Sequence, residues 1–169
     1  MKKGYIKFWG VRGSHPTPDY NKMEYGGDTS CVEIRYNDEL FIFDMGSGLR
    51  NLGKEMIDNQ STPKKVNIFL SHYHWDHVVG MLNFSPLFDE SFTFNIYGAN
   101  KYTPINELQN KLLDTALWPV SKGMLNAEVN FIDLSDNFMQ ISDDIKIEYI
   151  NHPHPNGATS YKLIINNFS

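Results

Sequence analysis

The 169-residue sequence predicts an α/β (α+β) layered domain that carries its site on loops at one rim of a sheet. Short apolar runs with strand character are interspersed along the chain with segments of helical periodicity. The polar clusters fall at the ends of those strands. The composition, 41% hydrophobic and 21% charged, is that of a globular protein with enough apolar side chains to fill a core. The length fits a single domain over residues 1–169, without repeats, low-complexity segments or linkers.

Residues 6–11 and 31–36 read as strands, joined by the Gly- and Pro-rich stretch "GSHPTPDYNKMEYGGD". "NDE" at 37–39 is a turn, and "LFIFD" at 40–44 returns as a strand, so the three suggest an antiparallel meander. "MGSG" then breaks the chain before a helix over Leu49–Asp58, with Leu49, Leu52, Met56 and Ile57 at helical spacing. "VNIFL" at 66–70 is a continuous apolar run, as expected of a strand buried on both faces. Residues 78–88 read as a short helix or loop, and 92–98 as a strand. Over 103–118 the sequence predicts a helix, with Thr103 as N-cap, Pro104 at the first helical position and Glu107 in the first turn. Residues 127–134, 138–141, 144–150 and 160–165 complete the strands.

The net charge of −5 and the absence of a basic run argue against a strong nucleic-acid-binding surface. No segment approaches the ~20 apolar residues of a membrane span. The opening "MKKGYIKFWG" has no apolar stretch behind its lysines, so it does not read as a signal peptide. Cys31 is the single cysteine and has no intrachain partner, which fits a reducing, cytoplasmic compartment. It sits in a strand pattern without a charged neighbour to activate it, so it reads as core packing.

"SHYHWDH" at 71–77 holds three of the six histidines, and His152 and His154 lie near the far end. In an extended loop His72 and His74 project to the same side and can grip one ion. Asp76 and His77 are adjacent, diverge, and reach a different point nearby. That arrangement suits two metal ions, and nitrogen with carboxylate oxygen suits zinc, iron or manganese. The bland reading, a solvated loop with histidines by accident, does not account for three in six positions behind a buried strand.

"HYHWDH" matches the H-x-H-x-D-H signature of the metallo-β-lactamase-fold hydrolases. "FWGVRGSHPTP", "YGGDTSCVEI", "FIFDMGSGLRNLG" and "LWPVSKGMLNAEVNFIDL" resemble a bacterial branch related to the tRNA 3′-processing endonucleases and small cyclic phosphodiesterases. The resemblance spans nearly the whole chain. It implies an αβ/βα sandwich whose second half is incomplete in this chain, with a dinuclear site at one edge. By position, His72 and His74 would bind the first metal, and Asp76 and His77 the second. "HPNGATSY" fits H-P-x-G-x-x-x-Y, with Ser160 where glycine is usual, and makes His154 the third ligand of the first metal. His152 departs from that pattern and reads as a supporting or surface residue. Asp28 replaces the asparagine usual in the branch, and His15 stands where an apolar residue is commoner. Asp44 matches an aspartate that supports the metal-binding loop, and it also reads as a strand-end cap for the backbone N–H groups of "GSG". Tyr25, Trp75 and Trp118 are candidates for a pocket lining, or for packing.

The resemblance implies a metal-dependent hydrolase of phosphodiester bonds, acting on a cyclic phosphate or nucleotide-type substrate through a metal-activated hydroxide. Asp76 would hold the nucleophile and accept its proton. Zinc is the first expectation for the two divalent ions, with iron or manganese as alternatives. The bridging aspartate and last histidine of the family have no counterpart after His154. That leaves open a non-catalytic binding or assembly protein on a truncated fold; a lactone or thioester hydrolase, which shares the metals and differs only in the pocket, is a further reading. Beside the substrate, a second copy of the chain in a homo-oligomer is a candidate partner to cover the incomplete half, with a longer gene product as the alternative.

Overall fold

The computed structural model describes residues 4–99 and 103–166, so Lys2 and Lys3 of the opening stretch lie outside the described residues. Three strands start the chain as antiparallel neighbours: β1 (Gly4–Gly10), β2 (Cys31–Tyr36) and β3 (Glu39–Phe43). This is the expected meander. The helix α1 (Leu49–Asp58) then carries the chain back, and the pairing becomes parallel from β3 to β4 (Lys65–Leu70). A parallel pair needs such a crossover, because a tight turn can only return a strand antiparallel. β5 (Thr93–Gly98) and β6 (Glu128–Asp133) continue the parallel ladder, giving a six-stranded sheet in sequence order. β7 (Phe138–Ser142), β8 (Ile145–His152) and β9 (Ala158–Ile165) form a separate antiparallel sheet.

The period-two alternation of the strands assigns the two faces of the larger sheet. Leu40, Ile42, Val66, Ile68, Phe94 and Ile96 pack with Leu49, Leu52 and Met56 of α1 and with Ile105, Leu108 and Leu112 of α3 (Ile105–Leu112). Phe41, Phe69 and Tyr97 point the other way, into a second core with Ile145 and Ile147 of β8. Phe69 is fully buried there, stacked on Tyr97 with ring centroids 4.8 Å apart. Burying such a ring stabilises the fold by ~2–3 kcal/mol. β4 lies between β3 and β5 and is buried from Val66 to Leu70, as its unbroken apolar run requires.

The described layers are helices, mixed sheet and second sheet. On the outer side of the second sheet Phe138 and Ile150 are exposed. Among the described residues no helix is long and apolar enough to cross a membrane.

Several element boundaries differ from the sequence expectation for identifiable reasons. The helix expected over 103–118 stops at Leu112. Beyond it the Asp114 carboxylate accepts the Ala116 N–H at 2.8 Å, and the Asp114 carbonyl accepts from Leu117 and Trp118, each at 2.9 Å. This local turn competes with continued helix. At the other end Pro104, not Thr103, is the N-cap, and the Ile105 N–H is taken by the Asp133 carboxylate of β6 at 2.9 Å. Residues 78–88 become two 3₁₀ turns, Val79–Asn83 and Ser85–Phe88. The β8–β9 ladder runs out to the pair His152–Ala158, so both strands are longer than their apolar runs.

Candidate metal centre

β4 delivers the chain to the sheet rim at Leu70, and the histidine cluster begins one residue later. Only its first half is an extended loop. His74 has φ −65° and ψ 152°, after which Trp75–Val78 form a one-turn helix, α2. Asp76 and His77 therefore leave from a helix, and instead of diverging they converge. Asp76 Oδ2 and His77 Nε2 are 3.4 Å apart.

His72 and His74 meet His154 across 80 residues of sequence. Each offers a ring nitrogen, and these three atoms all lie within 4.8 Å of one another. The His74 Nδ1 to His154 Nε2 distance is 3.3 Å. His154 starts the turn between β8 and β9, where its carbonyl accepts the Gly157 N–H at 2.7 Å. Pro155 and Asn156, with φ 63° at Asn156, have the residue chemistry of a type II turn. Two bonds then fix this turn over the cluster. The Thr159 N–H donates to the Ser71 carbonyl at 2.7 Å, and the Tyr161 hydroxyl donates to the Leu70 carbonyl at 2.8 Å. The tyrosine of the H-P-x-G-x-x-x-Y pattern thus ties the second sheet to the end of β4.

Asp44 follows β3 with φ 63°, a left-handed conformation that aspartate tolerates better than most residues. Its carboxylate accepts from the Ser71 N–H and hydroxyl, each at 2.8 Å, from Ser30 Oγ at 3.1 Å, and from His77 Nδ1 at 2.7 Å. It does not cap the "GSG" backbone, whose Gly46 and Gly48 N–H groups go to the Ser30 and Thr29 carbonyls. Burial alone would lower the His77 pKa, but the hydrogen bond and charge of Asp44, joined by Asp76, raise it overall. With Nδ1 committed to Asp44, Nε2 is the nitrogen that faces Asp76.

His72 has the opposite balance. Burial, followed by the neighbouring charges of His77 and His74, lowers its pKa to about 4. Its ring is therefore neutral at neutral pH and keeps a lone pair for a ligand.

The donor set fits a divalent ion. A tetrahedral zinc held at ~2.0–2.1 Å separates its nitrogen ligands by roughly 3.3–3.4 Å, and His74 and His154 stand 3.3 Å apart without one. Among the described residues this is the one group of three or more candidate ligands within that reach. Asp76 and His77 form an adjoining pair, with the His77 ring 4.0 Å from that of His72.

One contact to this pair has no sequence signal. The Ser14 backbone N–H donates to Asp76 Oδ2 at 2.7 Å, from a residue with φ 70° in the loop between β1 and β2. The donor is a backbone N–H, so the identity of the side chain at position 14 does not announce it. The loop is held by Asp28, whose carbonyl accepts the Val11 and Arg12 N–H groups and whose carboxylate accepts from Ser47 and Asn51. An acceptor-only carboxylate suits two donors, which gives the aspartate at this position a local role. His15 follows Ser14 but is exposed, with its Nδ1 2.8 Å from the Pro16 carbonyl. His152 is exposed at the end of β8 and makes no side-chain bond to the cluster among the described residues. Tyr25 and Trp75 are exposed, and Cys31 is fully buried.

A recess of about 140 Å³ opens beside the cluster, lined by His72, His74, Tyr73, Leu108 and Lys111 among others. A larger groove of about 740 Å³ runs between β1, β2 and β9, but no histidine, cysteine or carboxylate lines it. Two of the candidate ligands, His72 and His74, line the smaller recess.

A family model described as "Anti-Pycsar protein Apyc1" matches residues 28–168. The Ribonuclease Z of Methanococcus aeolicus is 38% identical over 77 residues, which are 45% of this chain and 21% of that one. The structure of the metallo-beta-lactamase fold protein YhfI from Bacillus subtilis superposes with a TM-score of 0.66 at 20% identity, covering 95% of this chain and 57% of that one. A diphosphatase from the PhnP family superposes with a TM-score of 0.69 at 15% identity, covering 95% of this chain and 62% of that one. These structural likenesses show the metallo-β-lactamase fold. The chain spans about a fifth of the length of that Ribonuclease Z and about three fifths of the length of the two solved proteins.

Proposed function

We propose, for a chain that belongs to the anti-Pycsar protein Apyc1 family, the activity of a metal-dependent phosphodiester hydrolase acting on a cyclic phosphate or nucleotide-type substrate. The observation that carries this reading is the convergence of His72, His74 and His154 on one point beside the Asp76–His77 pair. The likeness to a Ribonuclease Z and to a diphosphatase supports the phosphorus of a phosphate ester as the electrophile.

His72, His74 and His154 are the ligands of a first ion in this reading, and Asp76 with His77 holds a second. The ions are divalent, with zinc first and iron or manganese as alternatives. Bound there, they supply Lewis-acid stabilisation of a developing phosphoryl charge and lower the pKa of water. The chain's own residues do the rest. Asp44 holds the His77 ring so that Nε2 faces Asp76. Asp76, 8% exposed, is held by the Ser14 N–H, and in this reading its carboxylate accepts the proton of an attacking water. His72 stays neutral, so its own ring does not repel a cation at neutral pH. In this reading the substrate is a small molecule or nucleotide and the compartment is the cytoplasm.

The test is hydrolysis of bis(p-nitrophenyl) phosphate by the 169-residue chain loaded with zinc or manganese. Turnover should be abolished by chelator and by His74→Ala. Asp76→Asn should lose turnover while keeping the wild-type melting temperature within a few degrees. A His74→Ala protein that is as active as wild type contradicts the reading.

A further inference from the structure

The recess beside the histidines is walled in part by α3, which the metal-binding pattern does not include. Leu108 of α3 is buried and lines it, and Lys111, one helical turn later, falls on the same helix face. α3 cannot drift, because Leu108 and Leu112 are buried in the core and the Ile105 N–H is held by Asp133. Tyr73 closes the wall between the two histidines of the loop. Its hydroxyl lies where a Cβ at Gly98 would sit 2.0 Å away, so the end of β5 admits the ring only as glycine. From the other side come Pro155 and Asn156, the residues that directly follow His154.

The chemistry of this lining is directional. Leu108 and Tyr73 supply apolar lining, His72 and His74 the candidate ligands, and Thr103, Lys111 and Asn156 polar groups. Lys111 is exposed and, among the described residues, makes no hydrogen bond or ion pair. The other charged neighbours of the cluster, Asp44 and Asp76, are both engaged on its far side with Ser71, His77 and Ser14. The recess measures about 140 Å³. A cavity of roughly 150 Å³ takes one benzene ring.

We infer that this recess is the substituent subsite of the metal centre, taking a single ring of a phosphate ester, and that Lys111 recognises the oxygen-bearing edge of that ring. The inference rests on the reading of the histidines as a metal site that anchors the phosphate. It places the hydroxyl-bearing ring of such a substrate in this recess and names Lys111 as a specificity-determining residue.

The experiment is binding without turnover, by calorimetric titration of the zinc-loaded 169-residue chain with ribose 5-phosphate, phenyl phosphate and methyl phosphate. Ribose 5-phosphate and phenyl phosphate should both bind at least about tenfold more tightly than methyl phosphate, since only they fill the apolar wall. Lys111→Met keeps the stem and removes the charge. It should weaken ribose 5-phosphate about fivefold or more and leave phenyl phosphate within twofold, while Lys111→Arg restores most of the loss. Equal affinity for methyl phosphate and ribose 5-phosphate overturns the subsite. So does a Lys111→Met protein that binds ribose 5-phosphate as wild type does. Zinc uptake measured on the same samples separates this failure from that of the metal reading. Zinc bound with no ring preference overturns the subsite alone, whereas no zinc bound overturns the anchor as well.

Discussion

Asp44→Asn changes one atom and should remove one metal-binding nitrogen. In the folded chain two N–H groups face opposite oxygens of this carboxylate, the Ser71 backbone N–H on Oδ1 and His77 Nδ1 on Oδ2. An amide has one oxygen, so whichever way it turns, one donor meets an NH₂ group. The backbone N–H cannot change, but imidazole can exchange tautomers. The amide oxygen therefore goes to Ser71, and the NH₂ faces His77 Nδ1, which becomes an acceptor. The ring proton moves to Nε2, the nitrogen that faces Asp76, and a protonated nitrogen cannot be a ligand. Loss of such an orienting partner typically costs 10–100-fold in metal affinity, or ~1.4–2.8 kcal/mol. Asparagine tolerates the φ of 63° at this position. The stability loss should be confined to the weakened charge-assisted bond, ~1–3 kcal/mol. Zinc competition against a chelator, read with far-ultraviolet circular dichroism, measures both. A folded Asp44→Asn protein with wild-type affinity for all its zinc would refute this account of His77.

Three further outcomes follow from the packing and the electrostatics. A Cβ at Gly80 would lie 2.0 Å from the Gly46 carbonyl oxygen beneath α2. Gly80→Ala should therefore lower stability by ~1–3 kcal/mol in thermal melts, and an unchanged melting temperature would show that the loop can yield. Cys31 is fully buried, and burial followed by the charges of Asp44, Glu33 and Asp28 holds its thiol well above the ordinary range. A disulfide reagent at neutral pH should leave the native chain untouched and label it only in denaturant. The low pKa of His72 makes the unfolded chain bind the extra proton between about pH 6.5 and pH 4, so its contribution to stability falls as the pH drops through that window. Discounted for partial exposure, metal-free wild type should lose ~1–2 kcal/mol more than His72→Gln across it, by urea denaturation. His77, whose pKa is raised, acts with the opposite sign, and because its charge is one cause of the His72 shift the comparison reads His72 together with that coupling.

The local signals were the legible ones. α1 has the expected limits, because Leu49, Leu52 and Met56 are buried at helical spacing directly after a glycine-rich break. α3 was overextended because Leu113, Ala116 and Leu117 prolong the apolar pattern, and hydrophobic spacing cannot weigh it against the Asp114 side chain. The approach of His154 to His72 and His74 was readable through its sequence context, and the Tyr161 bond to Leu70 gives that context a physical reason. The Ser14 contact was not readable, since a backbone N–H carries no residue signature across 62 positions. Nor was the place of Lys111, which depends on how α3 docks and not on the cluster. Asp44 had two readings in sequence, and its hydrogen bonds favour the one that supports the histidine loop.

The central claim is that His72, His74 and His154 were brought together to hold an ion. Its most direct test is the transition-metal content of the chain, purified without chelator or added metal, measured beside that of His154→Ala. At least one tightly held equivalent per wild-type chain, absent from His154→Ala, is the result this account requires; two equivalents would fill the Asp76–His77 pair as well. A metal-free wild type that also fails to take up zinc, or a His154→Ala protein with undiminished metal, would contradict it.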